Sequence, residues 1–206
     1  MLQLDIKEKA ERMAKKNEPI TKPPQPTLAS MEKERLQREN IMKKQPKISE
    51  HVSYKEGTYS ITADRLNLDN DPSEEHLANM RLVSEKVFEP LREHVGYPIK
   101  INSFYRGPEL NKAIGGSRKS QHCHGQAMDI DDTIGWMSNA DMFNFIKDNL
   151  SFDQMIWEFG SDENPNWVHV SYVSEEKNRC RMLKAFRCPA GGTSYSTLGY
   201  GKLKKV

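Results

Sequence analysis

The chain has 206 residues, 31 basic against 29 acidic, for a net charge of +2, which excludes a strong global field for nucleic acid or anionic membrane. Its hydrophobic fraction of 36% is low for a wholly globular chain, so one domain with extensions is expected. No apolar run is long enough to span a bilayer, and the stretch Met1 to Glu8 lacks the basic and apolar regions of a secretion signal. Three cysteines without CxxC spacing argue against a disulfide framework and for synthesis in a reducing compartment.

Residues 1–47 differ in texture from the rest. Asp5 to Lys16 is a good helix former with a thin stripe at Leu2, Ile6, Ala10 and Met13, and Pro19 to Pro26 imposes an extended linker. A second helical run from Met31 to Lys44 has only Met31, Leu36, Ile41 and Met42 to bury. Such a segment is either a solvated arm or a docking arm that folds on a partner.

From about Ile48 to residue 187 the pattern is globular. Tyr59 to Ala63 reads as a short element, and Ser73 as the N-cap of a helix running to Val95. Leu77, Met80, Val83 or Ser84, Val87 and Leu91 share its buried face, Pro90 predicts a kink or break near Glu89, and Gly96 ends it. Pro98 to Tyr105 alternates as a strand through the core, and Pro108 to Ile114 is a short helix closed by Gly115. Gly125 to Asp131 is a strand with Ala127, Asp129 and Asp131 on one face. A helix follows Ser138, then a strand pair, Asp153 to Phe159 and Trp167 to Tyr172, and a last helix around Glu175 to Phe186. Residues 188–206 form a flexible Gly/Ser/Tyr tail with a short basic end, Lys202 to Lys205.

Chemistry concentrates in Ser120 to Asp131, where His122 and Asp129 stand seven positions apart, and in Trp167 to Ser171, which adds His169. Two histidines and one carboxylate are a usual protein ligand set for a zinc ion that keeps a coordination position open. Gly125 and Ala127 are small where a bulky side chain would crowd the approach between ligands. His124, two residues from His122, and the thiol of Cys123 are alternative donors; the simpler expectation has both facing away. His51, His76 and His94 sit in polar contexts and carry no signal.

Ser103 to Arg106, Leu110 to Ser117, Ser120 to His122, Gly125 to Ile130 and Trp167 to Ser171 together resemble the M15 family of zinc peptidases, most closely the short M15 domains of bacteriophage proteins. The resemblance covers about Ile48 to Phe186 and implies an α+β fold, a small, mostly antiparallel sheet flanked by helices, as in D-Ala-D-Ala carboxypeptidases and the Hedgehog domain. It implies one zinc ion per chain on His122, Asp129 and His169. It implies that Arg106 holds a substrate carbonyl or carboxylate and stabilises an oxyanion, and that Ser120 orients the loop or contacts substrate. The implied activity is hydrolysis of peptide bonds in peptidoglycan stem peptides or cross-links, at a D-amino acid. A phage origin follows from the same resemblance, whereas carriage in a phage particle and docking of residues 1–47 to phage structural proteins are expectations from the arm's own sequence, which lies outside the resemblance; no nucleic-acid or membrane partner is expected.

The chain departs from the family at the general base. Many members carry an acid three residues before the last histidine, where this chain has Asn166. Glu158 and Glu163 are the substitutes, and Glu158 is favoured, because a carboxylate in an apolar strand needs a reason to be there and burial raises its pKa toward a useful range. The rival expectation is a non-catalytic, zinc-stapled structural module docked through its arm, with Asn166 marking lost chemistry.

Overall fold

The computed structural model describes residues 47–132 and 134–201, together with Thr27, Leu28, Ser30 and Glu32. The chain divides into Met1–Lys44 and Gln45–Val206. The expected helices and linker of the arm, apart from Glu32, and the basic end Lys202 to Lys205 lie outside the described residues. Among the described residues no helix is long and apolar enough to cross a membrane.

The second unit opens with helices whose ends are set by local hydrogen bonds. Ser53 and Glu56 form a capping box on α1, Tyr54–Thr58, and Ser60 caps α2, Ile61–Leu66. Ser73 caps α3, Glu74–Val83, by accepting from the His76 amide, with Glu74 and Glu75 in the first turn. Pro90 does not break the helix. Ser84–Phe88 widens into a π turn, in which the Glu89 amide donates to Ser84 O, and α4 continues as Glu89–Val95 to Gly96 at φ 74°. The wider turn accommodates the proline ring, which lacks an N–H and crowds the carbonyl four residues back. Leu77, Met80, Val83, Val87 and Leu91 are all buried, as their spacing predicts.

Six strands form one sheet in the order β1-β2-β4-β3-β5-β6: β1 Lys100–Ser103, β2 Ala127–Asp131, β3 Gln154–Glu158, β4 Trp167–Ser171, β5 Arg181–Arg187 and β6 Thr193–Tyr200. All neighbours are antiparallel except β3 and β5. Two short helices, α5 Pro108–Ala113 and α6 Asn139–Asn149, complete the α+β fold. Met128, Ile130, Met155, Val168, Val170 and Met182 pack one face of the sheet with Phe88, Leu91, Phe143 and Ile146.

Three expectations are corrected. β1 is an edge strand, because Lys100 and Asn102 alternate as exposed residues while the apolar Ile99 and Phe104 are buried at its ends. The helix expected at Glu175 to Phe186 is β5: the helix-forming Met182, Leu183 and Ala185 are recruited by β3 and β6, and tertiary pairing overrides propensity. The expected flexible tail at 188–206 carries β6, which pairs with the whole of β5 across a turn holding Gly191 and Gly192 at φ 92° and 85°.

Candidate metal centre

Strand alternation places the chemistry on the sheet face opposite the core. Asp129 on β2 and His169 on β4 are direct cross-strand partners. His122 arrives from a single 3-10 turn, Gln121–His124, that ends in Gly125 at φ 67°. A Cβ at Gly125 would stand 2.4 Å from the His76 carbonyl oxygen, so the glycine is required by backbone approach and left-handed φ rather than by ligand crowding. The turn is anchored twice: the Arg106 amide donates to His122 O, and Gln121 Nε2 donates to Asp153 Oδ2 at 2.9 Å. Asp153 is itself gripped by Arg179 through two hydrogen bonds. Burial works against its ionised form, but the Arg179 and Gln121 bonds outweigh it and hold the carboxyl below its usual range.

Three donor atoms close a triangle. His122 Nε2 lies 3.1 Å from His169 Nδ1, His169 Nδ1 lies 2.9 Å from Asp129 Oδ1, and His122 Nε2 lies 3.3 Å from Asp129 Oδ1. His122 Nδ1–H donates to Phe104 O at 2.7 Å, which leaves the Nε2 lone pair for the centre. Burial disfavours the His122 cation and lowers its pKa, so the ring is held neutral, as a ligand must be. For Asp129, burial opposes ionisation, but the imidazole contacts overcome it, the hydrogen bond from His169 Nδ1 being the one open to a neutral ring, and the carboxyl falls far below the ordinary range. Zinc takes such N and O donors at about 2.0–2.2 Å in a tetrahedron, whose edge is then about 3.3 Å. The observed separations fit a single zinc ion. Among the described residues, His122, Asp129 and His169 are the one group of at least three potential ligands found together.

The centre faces a cleft of about 760 Å³ whose lining includes Arg106, Ser120 and Glu158. Arg106 Nη2 is 3.9 Å from Asp129 Oδ2, with the side chain 19% exposed and Nε without a hydrogen-bond partner among the described residues. Ser120 leads into the ligand turn and its carbonyl accepts from the Cys123 amide. Glu158 is opposite Trp167, two residues along β3 from the Ile156–His169 pair and therefore on the same face. It is 8% exposed. Burial, reinforced by Asp129, raises its pKa to about 7 against the pull of His169, Arg106 and Arg187.

The alternative donors lie elsewhere. His124 is exposed beside His76 and its carbonyl accepts from Asn79, while burial raises the Cys123 thiol. Glu163 is an exposed loop residue that does not line the cleft, and hydrogen bonding to Ser161 lowers its carboxyl. Asn166 closes the β3–β4 hairpin, its amide donating to Glu158 O and its carbonyl accepting from Asn139. The sequence reading missed Asp153, Arg187 and Tyr195. The signal for the last two was Gly191-Gly192 between alternating segments, a two-glycine hairpin pattern.

An α+β domain with a three-donor centre open to a cleft, a buried carboxylate and a guanidinium beside it has the make-up of a metallohydrolase. The family model of peptidase M15 matches residues 50–171, more than half of the 206-residue chain, and the protein belongs to that family of zinc-dependent metallopeptidases. No curated protein matches the chain.

Proposed function

We propose that the protein hydrolyses peptide bonds in peptidoglycan stem peptides or cross-links, at a D-amino acid, with one zinc ion held by His122, Asp129 and His169. The observation that carries this is the closed triangle of donors at 2.9–3.3 Å in a cleft shared with Glu158 and Arg106. Zinc, when bound, supplies Lewis acidity and lowers the pKa of water at the centre. The protein's own groups do the rest. Glu158, with a pKa near neutrality, accepts the proton of the attacking water and passes it to the leaving amine. Arg106 holds the carbonyl oxygen and stabilises its negative charge in the tetrahedral intermediate. The Phe104 carbonyl fixes the His122 ring, and Arg106 and His169 keep Asp129 ionised.

On the same reading the chain is phage-encoded, made in a reducing cytoplasm, and carried in a particle through docking of residues 1–47 to structural proteins. That extension rests on the sequence of the arm and on the resemblance to phage M15 domains. The test of the activity is mass spectrometry of purified muropeptides incubated with zinc-loaded protein, with and without chelator. Chelator-sensitive loss of D-Ala or of a cross-link is expected. Intact muropeptides in a sample with one zinc per chain would overturn it in favour of a structural module.

A further inference from the structure

The β5–β6 hairpin lies wholly beyond the matched residues 50–171, yet it forms one wall of the cleft. Arg187 on β5 and Tyr195 on β6 both line it. Strand alternation explains why. β5 runs beside β3 with Ala185 opposite Glu158, and Tyr195 is opposite Ala185, so Tyr195 and Glu158 lie in one row across the sheet. Arg187, two residues beyond Ala185, shares that face. Tyr195 is 54% exposed, with a phenol raised by burial and by the charges of Glu158 and Asp129.

The two arginines of the cleft differ in what they already hold. Arg106 stands beside Asp129 in the metal centre. Arg187 has no carboxylate within 4.0 Å among the described residues; its guanidinium carbon lies 4.4 Å from the centroid of the Phe159 ring, and Phe159 in turn packs edge-on against Trp167. Stacking on an aromatic ring fixes the plane of a guanidinium while leaving its N–H edge free for an anion. Phe159 is set in this place by a left-handed backbone, φ 56°, and by the hydrogen bond that its backbone N–H donates to Ala185 O. The lining also carries Lys119, so three cations (Arg106, Lys119, Arg187) face two carboxylates (Asp129, Glu158) before any divalent ion is added. The chain as a whole is nearly neutral, at +2. The excess of positive charge is local to the cleft, and it favours an anionic substrate.

We infer that Arg187 and Tyr195 form a carboxylate-binding subsite that selects peptides bearing a free carboxylate beyond the scissile bond. Arg187 makes the bidentate contact, and the Tyr195 hydroxyl donates a further hydrogen bond. This deepens the peptidase reading and rests on it for the cut bond, though not for the binding preference.

The experiment uses two stem-type peptides of one sequence, one with a free carboxylate and one with that carboxylate amidated. Zinc-loaded wild-type protein and the Arg187→Gln, Arg187→Lys and Tyr195→Phe variants are compared by initial rates and by tryptophan fluorescence, to which Trp167 in the cleft contributes with Trp136 and Trp157. Wild-type protein is expected to prefer the carboxylate peptide by about 10- to 100-fold, a range set by charge-assisted hydrogen bonds. Arg187→Gln is expected to collapse that ratio toward one through KM and binding, Arg187→Lys to restore part of it, and Tyr195→Phe to reduce it several-fold. An unchanged ratio in Arg187→Gln, or no preference in the wild type, overturns the subsite while hydrolysis itself stands. Carboxylate-selective binding with neither peptide cut keeps the subsite and overturns the peptidase.

Discussion

The two faces of the central sheet are made from the same five-residue strands, yet they hold opposite chemistry. On β2, Met128 and Ile130 are fully buried among apolar side chains, while Asp129 between them enters a charged centre. On β4, Val168 and Val170 flank His169 in the same way. The core face is apolar, so its burial is favourable and fixes where each strand lies. The opposite face gathers histidine lone pairs and carboxylates whose burial is unfavourable when no metal ion is present. Register links the two faces: a one-residue slip of β4 would send His169 into the core and a valine into the site. The rigid side thus holds ligands in place on the side that, by itself, is unfavourable.

Substitutions on each face should separate the two roles. The largest effect is expected at the ligands: His122→Ala or His169→Ala should abolish zinc binding and hydrolysis together, measured by metal analysis and muropeptide turnover, with the protein still folded. Next, Glu158→Gln should lower kcat by about 10²- to 10⁴-fold with zinc content unchanged. The same variant sharpens the comparison through stability. A carboxyl raised to about 7 binds more protons in the folded state than in the unfolded one, so its stabilising contribution is complete below its ordinary pKa of about 4.5 and is lost as pH climbs to 7. In metal-free protein, Glu158→Gln should therefore gain on wild type across that window, by on the order of 3 kcal/mol at neutral pH from urea titrations. Removing apolar support from the other face should do the reverse. Met155→Ala is expected to cost about 2–5 kcal/mol in unfolding free energy while the folded fraction still binds zinc. The smallest effect is expected at Gly125→Ala, where left-handed strain of about 1–3 kcal/mol and the His76 carbonyl would shift the ligand turn, seen as weaker zinc affinity with hydrolysis retained at saturating metal.

Much of this arrangement was readable from the chain. Asp129 and His169 stood out because strand alternation puts one polar residue between two apolar ones, and His122 because it lies seven residues before Asp129 in a polar loop. The α3 cap at Ser73 and the buried stripe from Leu77 to Leu91 were legible for the same local reasons. What failed to show was decided at a distance. Residues Arg181 to Arg187 have helical composition and become a strand only because β3 and β6 offer backbone partners. Pro90 signals a break, but the response chosen by the fold is a π turn within a packed helix. For Arg187 and Tyr195 the one signal was the hairpin pattern at Gly191-Gly192, which marks a turn but not that the hairpin folds back beside β3 and into the cleft. The Glu158 position was legible in kind but not in register: it faces Trp167, with Ile156 opposite His169.

The most direct measurement runs wild-type and Glu158→Gln proteins side by side, with zinc stoichiometry and cleavage of purified muropeptides read from the same samples. The account predicts one zinc per chain in both and product only from the wild type. Equal cleavage by both proteins would remove Glu158 from the chemistry, and zinc-bound wild type that leaves every muropeptide intact would contradict the peptidase itself.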